Sequence, residues 1–113
     1  MAPSDKAAVV ELCDISEVRP DSPLKVEASG ELLAVFQLGE SYFVTQDLCT
    51  HGPGSLSEGY VDGDEIECPF HQGRFCIRTG RPTAAPCTVP LKTWPVVVRA
   101  GKICIDISSD EAR

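Results

Sequence analysis

Histidine and long apolar runs are both scarce in this chain of 113 residues. Two histidines, one tryptophan and one methionine are present. No apolar run approaches the ~20 residues that a membrane-spanning helix needs. The first residues, Met-Ala-Pro-Ser-Asp-Lys, lack the charged start and long apolar stretch of a secretory signal peptide. We therefore expect a soluble protein located in the cytoplasm.

A helical hydrophobic period is also missing, and short apolar stretches instead alternate with turns rich in glycine and proline. This pattern predicts an all-β fold, and the chain length suits a single domain over residues 1–113. Asp62-Gly63-Asp64 and Ala100-Gly101 are typical of hairpin turns, and Asp14 is a candidate N-cap for one helical turn at 15–18. Strands are predicted at 8–13, 24–28, 31–38, 42–45, within 59–67, and at 74–77, 93–99 and 102–107. The tail at 108–113 is expected to be disordered.

Acidic charge dominates the chain, with a formal net charge of −7, but its distribution is uneven. Acids greatly outnumber bases up to Glu67, whereas no acid occurs from Cys68 to Ile105. An acidic chain without a stripe of aromatic and basic residues is a poor candidate for nucleic-acid binding. The asymmetry either orients the protein toward a charged partner or reflects a solvated surface whose halves differ by chance. Candidate partner contacts near the first cysteine–histidine pair are Asp47, Glu58 and Asp62.

Both histidines lie beside cysteines, in Cys49-Thr-His51 and Cys68-Pro-Phe-His71, with sixteen residues between the two motifs. A glycine follows each pair within two residues. Two thiolates and two imidazoles on paired loops are the ligand set of a Rieske [2Fe–2S] centre, in which two histidines replace two cysteines on one iron. Zinc fingers usually pair Cys with Cys and His with His, so the alternating order disfavours a structural zinc site. A Cys–His nucleophile needs one residue of each type and leaves the duplication unexplained.

Around these motifs, the sequence resembles the Rieske-type ferredoxins of bacterial aromatic ring-hydroxylating dioxygenase systems, such as those for biphenyl, toluene, naphthalene and carbazole. The resemblance runs from about Val9 to Ile107. It is strongest in Thr-Gln-Asp-Leu-Cys-Thr-His-Gly at 45–52 and Glu-Cys-Pro-Phe-His-Gln-Gly-Arg-Phe at 67–75. It implies an antiparallel β-sandwich or barrel with a small cluster-binding subdomain at about 46–88.

The resemblance also implies a role for each motif residue. Cys49 and Cys68 would bind the inner iron, and His51 and His71 would bind the outer iron through Nδ1. A third loop around Ala85-Pro86 would cover the cluster, and Phe70 would shield it from water. Glycines 52, 54 and 73 are expected to allow close backbone approach and positive φ.

Two departures from relatives with the same motif affect the expected properties. Membrane-bound Rieske proteins brace their ligand loops with a disulfide at positions that correspond to Gly54 and Phe70, so that bond is absent here. High-potential Rieske proteins carry hydroxyl donors at positions that correspond to Gly73 and Phe75. Their absence predicts a reduction potential toward the low end of the Rieske range, which spans about −150 to +300 mV.

The implied function is one-electron transfer, without catalytic residues. The partners would be an FAD-containing reductase that uses NAD(P)H and a terminal oxygenase. An oxygenase would itself need a mononuclear iron held by two further histidines and a carboxylate, and both histidines are already assigned. The alternative is a structural or regulatory subunit, such as the small subunit of a nitrite reductase. The four other cysteines, expected to be small buried residues in a reducing compartment, are Cys13, Cys76, Cys87 and Cys104.

Overall fold

The structure is a computed structural model that describes residues 9–50, 53–70, 72–85 and 87–107. The elements are short strands and two single 3-10 turns, at Ile15–Glu17 and Leu56–Glu58. The strands are β1 Val9–Asp14, β2 Leu24–Ala28, β3 Glu31–Leu38, β4 Ser41–Gln46, β5 Tyr60–Asp62, β6 Glu65–Glu67, β7 Arg74–Cys76, β8 Pro82–Ala84, β9 Thr93–Trp94, β10 Val96–Arg99 and β11 Lys102–Asp106. None of the described stretches contains a helix long and apolar enough to cross a membrane.

The strands form three antiparallel sheets, which confirms the predicted all-β class. The sheet orders are β1-β11-β10, β2-β3-β4-β9 and β5-β6-β7-β8. The predicted hairpin turns are present, because Gly63 joins β5 to β6 with φ of 62° and Ala100 and Gly101 join β10 to β11 with φ of 50° and 78°. In sequence, strands β5 and β6 of the third sheet lie between the two motifs, and β7 and β8 follow the second motif.

Strand β3 separates two hydrophobic cores. Successive side chains of a strand point to opposite faces, so Leu33 and Val35 enter one core while Ala34 and Phe36 enter the other. The first core, called here the base core, also contains Cys13 and Trp94 and lies between the first two sheets. The second, called here the loop core, lies against the third sheet and contains Cys49, Leu56, Ile66, Cys68, Phe75, Ile77, Cys87 and Leu91.

One prediction about strands was wrong, and one strand was missed. The continuous strand at 93–99 is instead two strands in different sheets, with Pro95 between them. Proline has no N–H to donate to a ladder, so the chain changes sheet at this residue. The edge strand β8 was not predicted, because it begins with Pro82 and carries little β-branched character.

Candidate metal centre

Each motif cysteine begins a loop, and the same type of backbone hydrogen bond closes both loops. Cys49 follows β4, and its N–H donates to the carbonyl of Gly54 at 2.9 Å. Cys68 follows β6, and its N–H donates to the carbonyl of Gly73 at 2.8 Å. In each loop the partner is the glycine five residues later, so the two cysteines occupy equivalent positions in their loops. His51 and His71 lie outside the described residues.

Both cysteine side chains are withdrawn from water, with Cys49 2% and Cys68 0% exposed. Gly54 lies between them, since a Cβ added there would be 2.9 Å from Sγ of Cys68 and 3.8 Å from Cβ of Cys49. A larger residue at position 54 would fill this space. Two buried sulfurs on matched loops fit the thiolate half of the donor set that a Rieske cluster requires.

Gly54 and Phe70 are neighbours across the two loops. A Cβ at Gly54 would lie 3.8 Å from Cβ of Phe70, the mean separation across a disulfide. The two positions therefore have the spacing of the bracing disulfide, but neither residue is a cysteine. Gly54 and Gly73 allow the close approach of neighbouring groups, as expected, but neither glycine has a positive φ. Gly52 lies outside the described residues.

A third loop closes over the first. Thr50 donates a hydrogen bond from Oγ1 to the carbonyl of Val89 at 2.7 Å. Cys87 belongs to this loop and is buried, with its sulfur packed against Gly73. Burial and the neighbouring Cys49 raise the pKa of the Cys87 thiol. Sequence reasoning assigned Cys87 to a generic core and missed its place beside the ligand loops; Pro86 lies outside the described residues.

Phe70, which was expected to shield the cluster from water, is 67% exposed. Leu48 and Val89 are also largely exposed, so each of the three loops presents one large apolar side chain to solvent. Trp94 packs in the base core. Of the four remaining cysteines, Cys76 is only partly buried, and none is in a disulfide.

Asp47 was expected to contact a partner, and this is also wrong. Its side chain is 2% exposed and accepts hydrogen bonds from Oγ of Ser55 and from N–H of Ser57. Charged residues are rarely buried, so nothing in the local sequence marked this one.

Bases from the acid-free half of the chain pair with acids from the acidic half in the fold. Arg74 pairs with Asp62, Glu65 and Glu67 at 2.9–3.2 Å, and Arg78 pairs with Asp64 at 3.1 Å. These bases come from the acid-free half of the chain and the acids from the acidic half. The hydrogen bonds that Arg74 donates to Asp62 and Glu65 raise the pKa of its guanidinium. These pairs therefore favour the interpretation of a solvated surface over electrostatic orientation toward a charged partner.

Comparison with known proteins agrees with this geometry. The family model of the Rieske [2Fe–2S] domain matches residues 8–95. The ferredoxin component of the p-cumate 2,3-dioxygenase system of Pseudomonas putida is 44% identical over 107 residues, covering 93% of this chain and 91% of that protein. A ferredoxin of Sphingomonas yanoikuyae B1 superposes with a TM-score of 0.84 at 45% identity, covering 86% of this chain and 96% of that one.

Two further structures bear on function. The ferredoxin in a complex of reduced oxygenase and oxidized ferredoxin of carbazole 1,9a-dioxygenase matches with a TM-score of 0.82 at 43% identity, covering 88% of this chain and 93% of that one. A putative small subunit of an NADPH nitrite reductase matches with a TM-score of 0.74 at 25% identity, covering 86% and 96%. The cofactor is a Rieske-type [2Fe–2S] cluster. The chain belongs to the Rieske [2Fe–2S] domain family, among the ferredoxin components of aromatic ring-hydroxylating dioxygenase systems.

Proposed function

We propose that this protein carries single electrons from an FAD-containing, NAD(P)H-dependent reductase to the terminal oxygenase of an aromatic ring-hydroxylating dioxygenase system. The observation that carries the proposal is the pair of identically closed loops that bury Cys49 and Cys68 beside each other. In this proposal Cys49 and Cys68 bind the inner iron, and His51 and His71 bind the outer iron. The cluster-binding subdomain extends over about 46–88 of the single domain.

The protein is an electron-transfer component and has no catalytic residue of its own. A bound [2Fe–2S] cluster supplies the one-electron chemistry. The chain contributes two thiolates held away from water and loops whose cysteine amides are already paired with glycine carbonyls. Dihydroxylation needs two electrons, so the oxygenase requires two visits from the carrier in each turnover.

The surroundings of the loops suit brief contacts with two partners. Leu48, Phe70 and Val89 are exposed, one on each of the three loops. Exposed apolar side chains on these loops suit a small contact surface, and small interfaces are typical of weak redox encounters. The ferredoxin that resembles this chain in the carbazole 1,9a-dioxygenase structure was captured with its oxygenase, which supports a terminal oxygenase as one partner here.

A cytoplasmic location is part of the proposal. None of the six cysteines forms a disulfide, not even Cys13 and Cys104 on neighbouring strands. Disulfides are rare in the reducing cytosol, so six cysteines without a disulfide fit that compartment.

The alternative function is a Rieske-like subunit of a nitrite reductase. Its support is the structural match to the putative nitrite reductase subunit, at 25% identity. The dioxygenase ferredoxins match at 34–44% identity, and the chain keeps both cysteines and both histidines of the motif. These differences favour the ferredoxin.

An EPR-monitored redox titration of anaerobically purified protein tests the proposal. We expect a Rieske-type signal in the wild type and its loss in Cys49→Ser, Cys68→Ser, His51→Ala and His71→Ala. Cys104→Ser is the matched control, because Cys104 is also buried but lies on β11, away from the loops. Reduction by a reductase and reoxidation by an oxygenase are then measured by stopped-flow absorbance. A folded protein that binds zinc, or no metal, would favour the nitrite reductase alternative.

A further inference from the structure

Asp47 is the one charged side chain that is buried within the described part of the chain. A buried carboxylate is unfavourable unless hydrogen bonds and a counter-charge compensate it. Here Oδ1 accepts from N–H of Ser57 at 2.9 Å and Oδ2 accepts from Oγ of Ser55. Lys25 on β2 supplies the counter-charge, with Nζ 3.8 Å from Oδ2. Both carboxylate oxygens of Asp47 thus have polar partners at a buried position, which indicates a specific role.

The backbone of Asp47 makes two further bonds at the same point. Its N–H donates to the carbonyl of Leu32 on β3 at 3.0 Å, and its carbonyl accepts from N–H of Leu56 at 2.7 Å. Leu48 and Ser55 form an isolated β-bridge one residue further on. Asp47 therefore joins the point at which the chain enters the first ligand loop to the point at which the chain leaves that loop.

Cys49 is two residues from Asp47 and inside the segment that these bonds close. Release of a ligand thiolate requires its loop to open. Opening this loop separates residues 47 and 55–57, so it breaks the bonds of the carboxylate. The neighbouring pair Gly54 and Phe70 has the spacing of a disulfide but no sulfur, so no covalent bond resists the opening.

We propose that Asp47 is a positioning residue for the first ligand loop, in which its buried carboxylate joins the two ends of the loop. It holds Cys49 at the cluster by hydrogen bonds, where membrane-bound Rieske proteins use a disulfide. The inference rests on the proposed function, in which Cys49 is a cluster ligand.

The test is the rate at which the intact holoprotein loses its cluster to a strong chelator, followed by visible absorbance. Asp47→Ala is expected to accelerate this loss by at least about tenfold, the usual effect of removing a group that orients a metal ligand. Asp47→Asn keeps an oxygen for Ser57 and offers an amide to the hydroxyl oxygen of Ser55, so it should restore most of the wild-type rate. Asp64→Ala is the control, because Asp64 is exposed and pairs with Arg78; it should release the cluster at the wild-type rate.

A second measurement separates positioning from a general loss of stability. Trp94 lies in the base core, so its fluorescence reports melting of the part of the protein away from the loops. We expect the melting midpoint of Asp47→Ala to stay near that of the wild type, while the g values of its reduced cluster shift. If Asp47→Ala does not accumulate as folded protein, Ser55→Ala removes one of the two side-chain bonds and should give a smaller acceleration.

Three results would overturn the inference. They are a wild-type rate in Asp47→Ala (or in Ser55→Ala, if that variant replaces it), an equally fast loss in Asp47→Asn, and an acceleration fully matched by a fall in the Trp94 melting midpoint. None of these touches the ligand assignment. The proposed function fails instead if Cys49→Ser keeps the wild-type Rieske spectrum.

Discussion

Gly54 lies directly behind the sulfur of Cys68, so close that a Cβ at position 54 would be 2.9 Å from Sγ. Because Cys68 is fully buried in the loop core, its sulfur has little room to move away. In this chain, a side chain at position 54 would therefore have to displace the Cys68 sulfur for the first loop to pack against the second.

Gly54→Ala should therefore displace Cys68 and weaken its hold on iron. We expect a lower iron content per chain and an altered Rieske EPR signal in the purified variant. Gly30→Ala is the control: a Cβ there meets nothing within 4 Å, but φ is +78°, so the variant should lose about 1 kcal/mol of stability and keep the spectrum. A wild-type signal and full iron content in Gly54→Ala would contradict the argument.

Thr50→Val should weaken the attachment of the third loop to the first loop, while the volume of the side chain at position 50 stays the same. The variant removes the donor to the carbonyl of Val89, a bond worth about 1 kcal/mol. This corresponds to a roughly fivefold increase in the open population. Hydrogen–deuterium exchange of a peptide covering 85–91 should accelerate by this factor. Thr83→Val, exposed on β8, should leave this peptide unchanged; equal exchange in wild type and Thr50→Val would show that the bond does not hold the loop.

The strands were predictable where short-range signals agree. Strands β2 and β3 have the predicted bounds, because apolar residues and turn residues mark both their ends. The change of sheet at Pro95 was missed, although proline in a strand run is itself a signal for an edge or a break. The pairing of β8 depends on β7 and not on its own composition, so local sequence could not reveal it.

The residues of the candidate site likewise differ in how far the sequence alone could identify their roles. The residues proposed to bind iron carry their chemistry in their spacing, so sequence sufficed to name them. The roles of Asp47 and Cys87 depend on partners distant in the chain. Ser55 and Ser57 lie eight and ten residues from Asp47, and Cys87 meets Gly73 across fourteen positions. A carboxylate is by default exposed and a cysteine by default a small core residue, so sequence alone assigned both wrongly or incompletely.

Cys76 should be the most reactive thiol of the holoprotein. Partial burial opposes its ionisation, but hydrogen bonds from Thr79 and the backbone of Arg78 outweigh this and lower its pKa below the usual value. Burial, with Glu17 and Asp14, instead raises the pKa of Cys13 to about 11. The thiolate is the nucleophile, so labelling of Cys76 by iodoacetamide should reach its plateau at a lower pH than labelling of a free cysteine.

Mass spectrometry of the labelled peptides checks this order of reactivity. Thr79→Val should move the pH profile of Cys76 upward, because the hydrogen bond that stabilises the thiolate is lost. Cys76→Ser should remove the fast phase altogether. A fast phase that persists in Cys76→Ser, or a profile unmoved by Thr79→Val, would place the reactive thiol elsewhere.

Phe75→Tyr should raise the reduction potential. Phe75 is fully buried in the loop core with Cys49 and Cys68, at the position where high-potential Rieske proteins carry a tyrosine. A hydroxyl donor to a cluster sulfur stabilises the added electron. One hydrogen bond of about 1 kcal/mol corresponds to about 40 mV for a one-electron couple.

The matching donor at position 73 cannot be introduced alone. A Cβ at Gly73 would lie 2.2 Å from Sγ of Cys87, so Gly73→Ser should lose the cluster unless Cys87→Ala makes room. The double variant Gly73→Ser/Cys87→Ala, compared with Cys87→Ala alone, then isolates the effect of the hydroxyl, and we expect a further positive shift. EPR-monitored titrations of these variants and of the wild type give the midpoints directly. A wild-type midpoint well above zero would contradict the low-potential prediction, and an unmoved midpoint in Phe75→Tyr would show that position 75 does not tune the cluster.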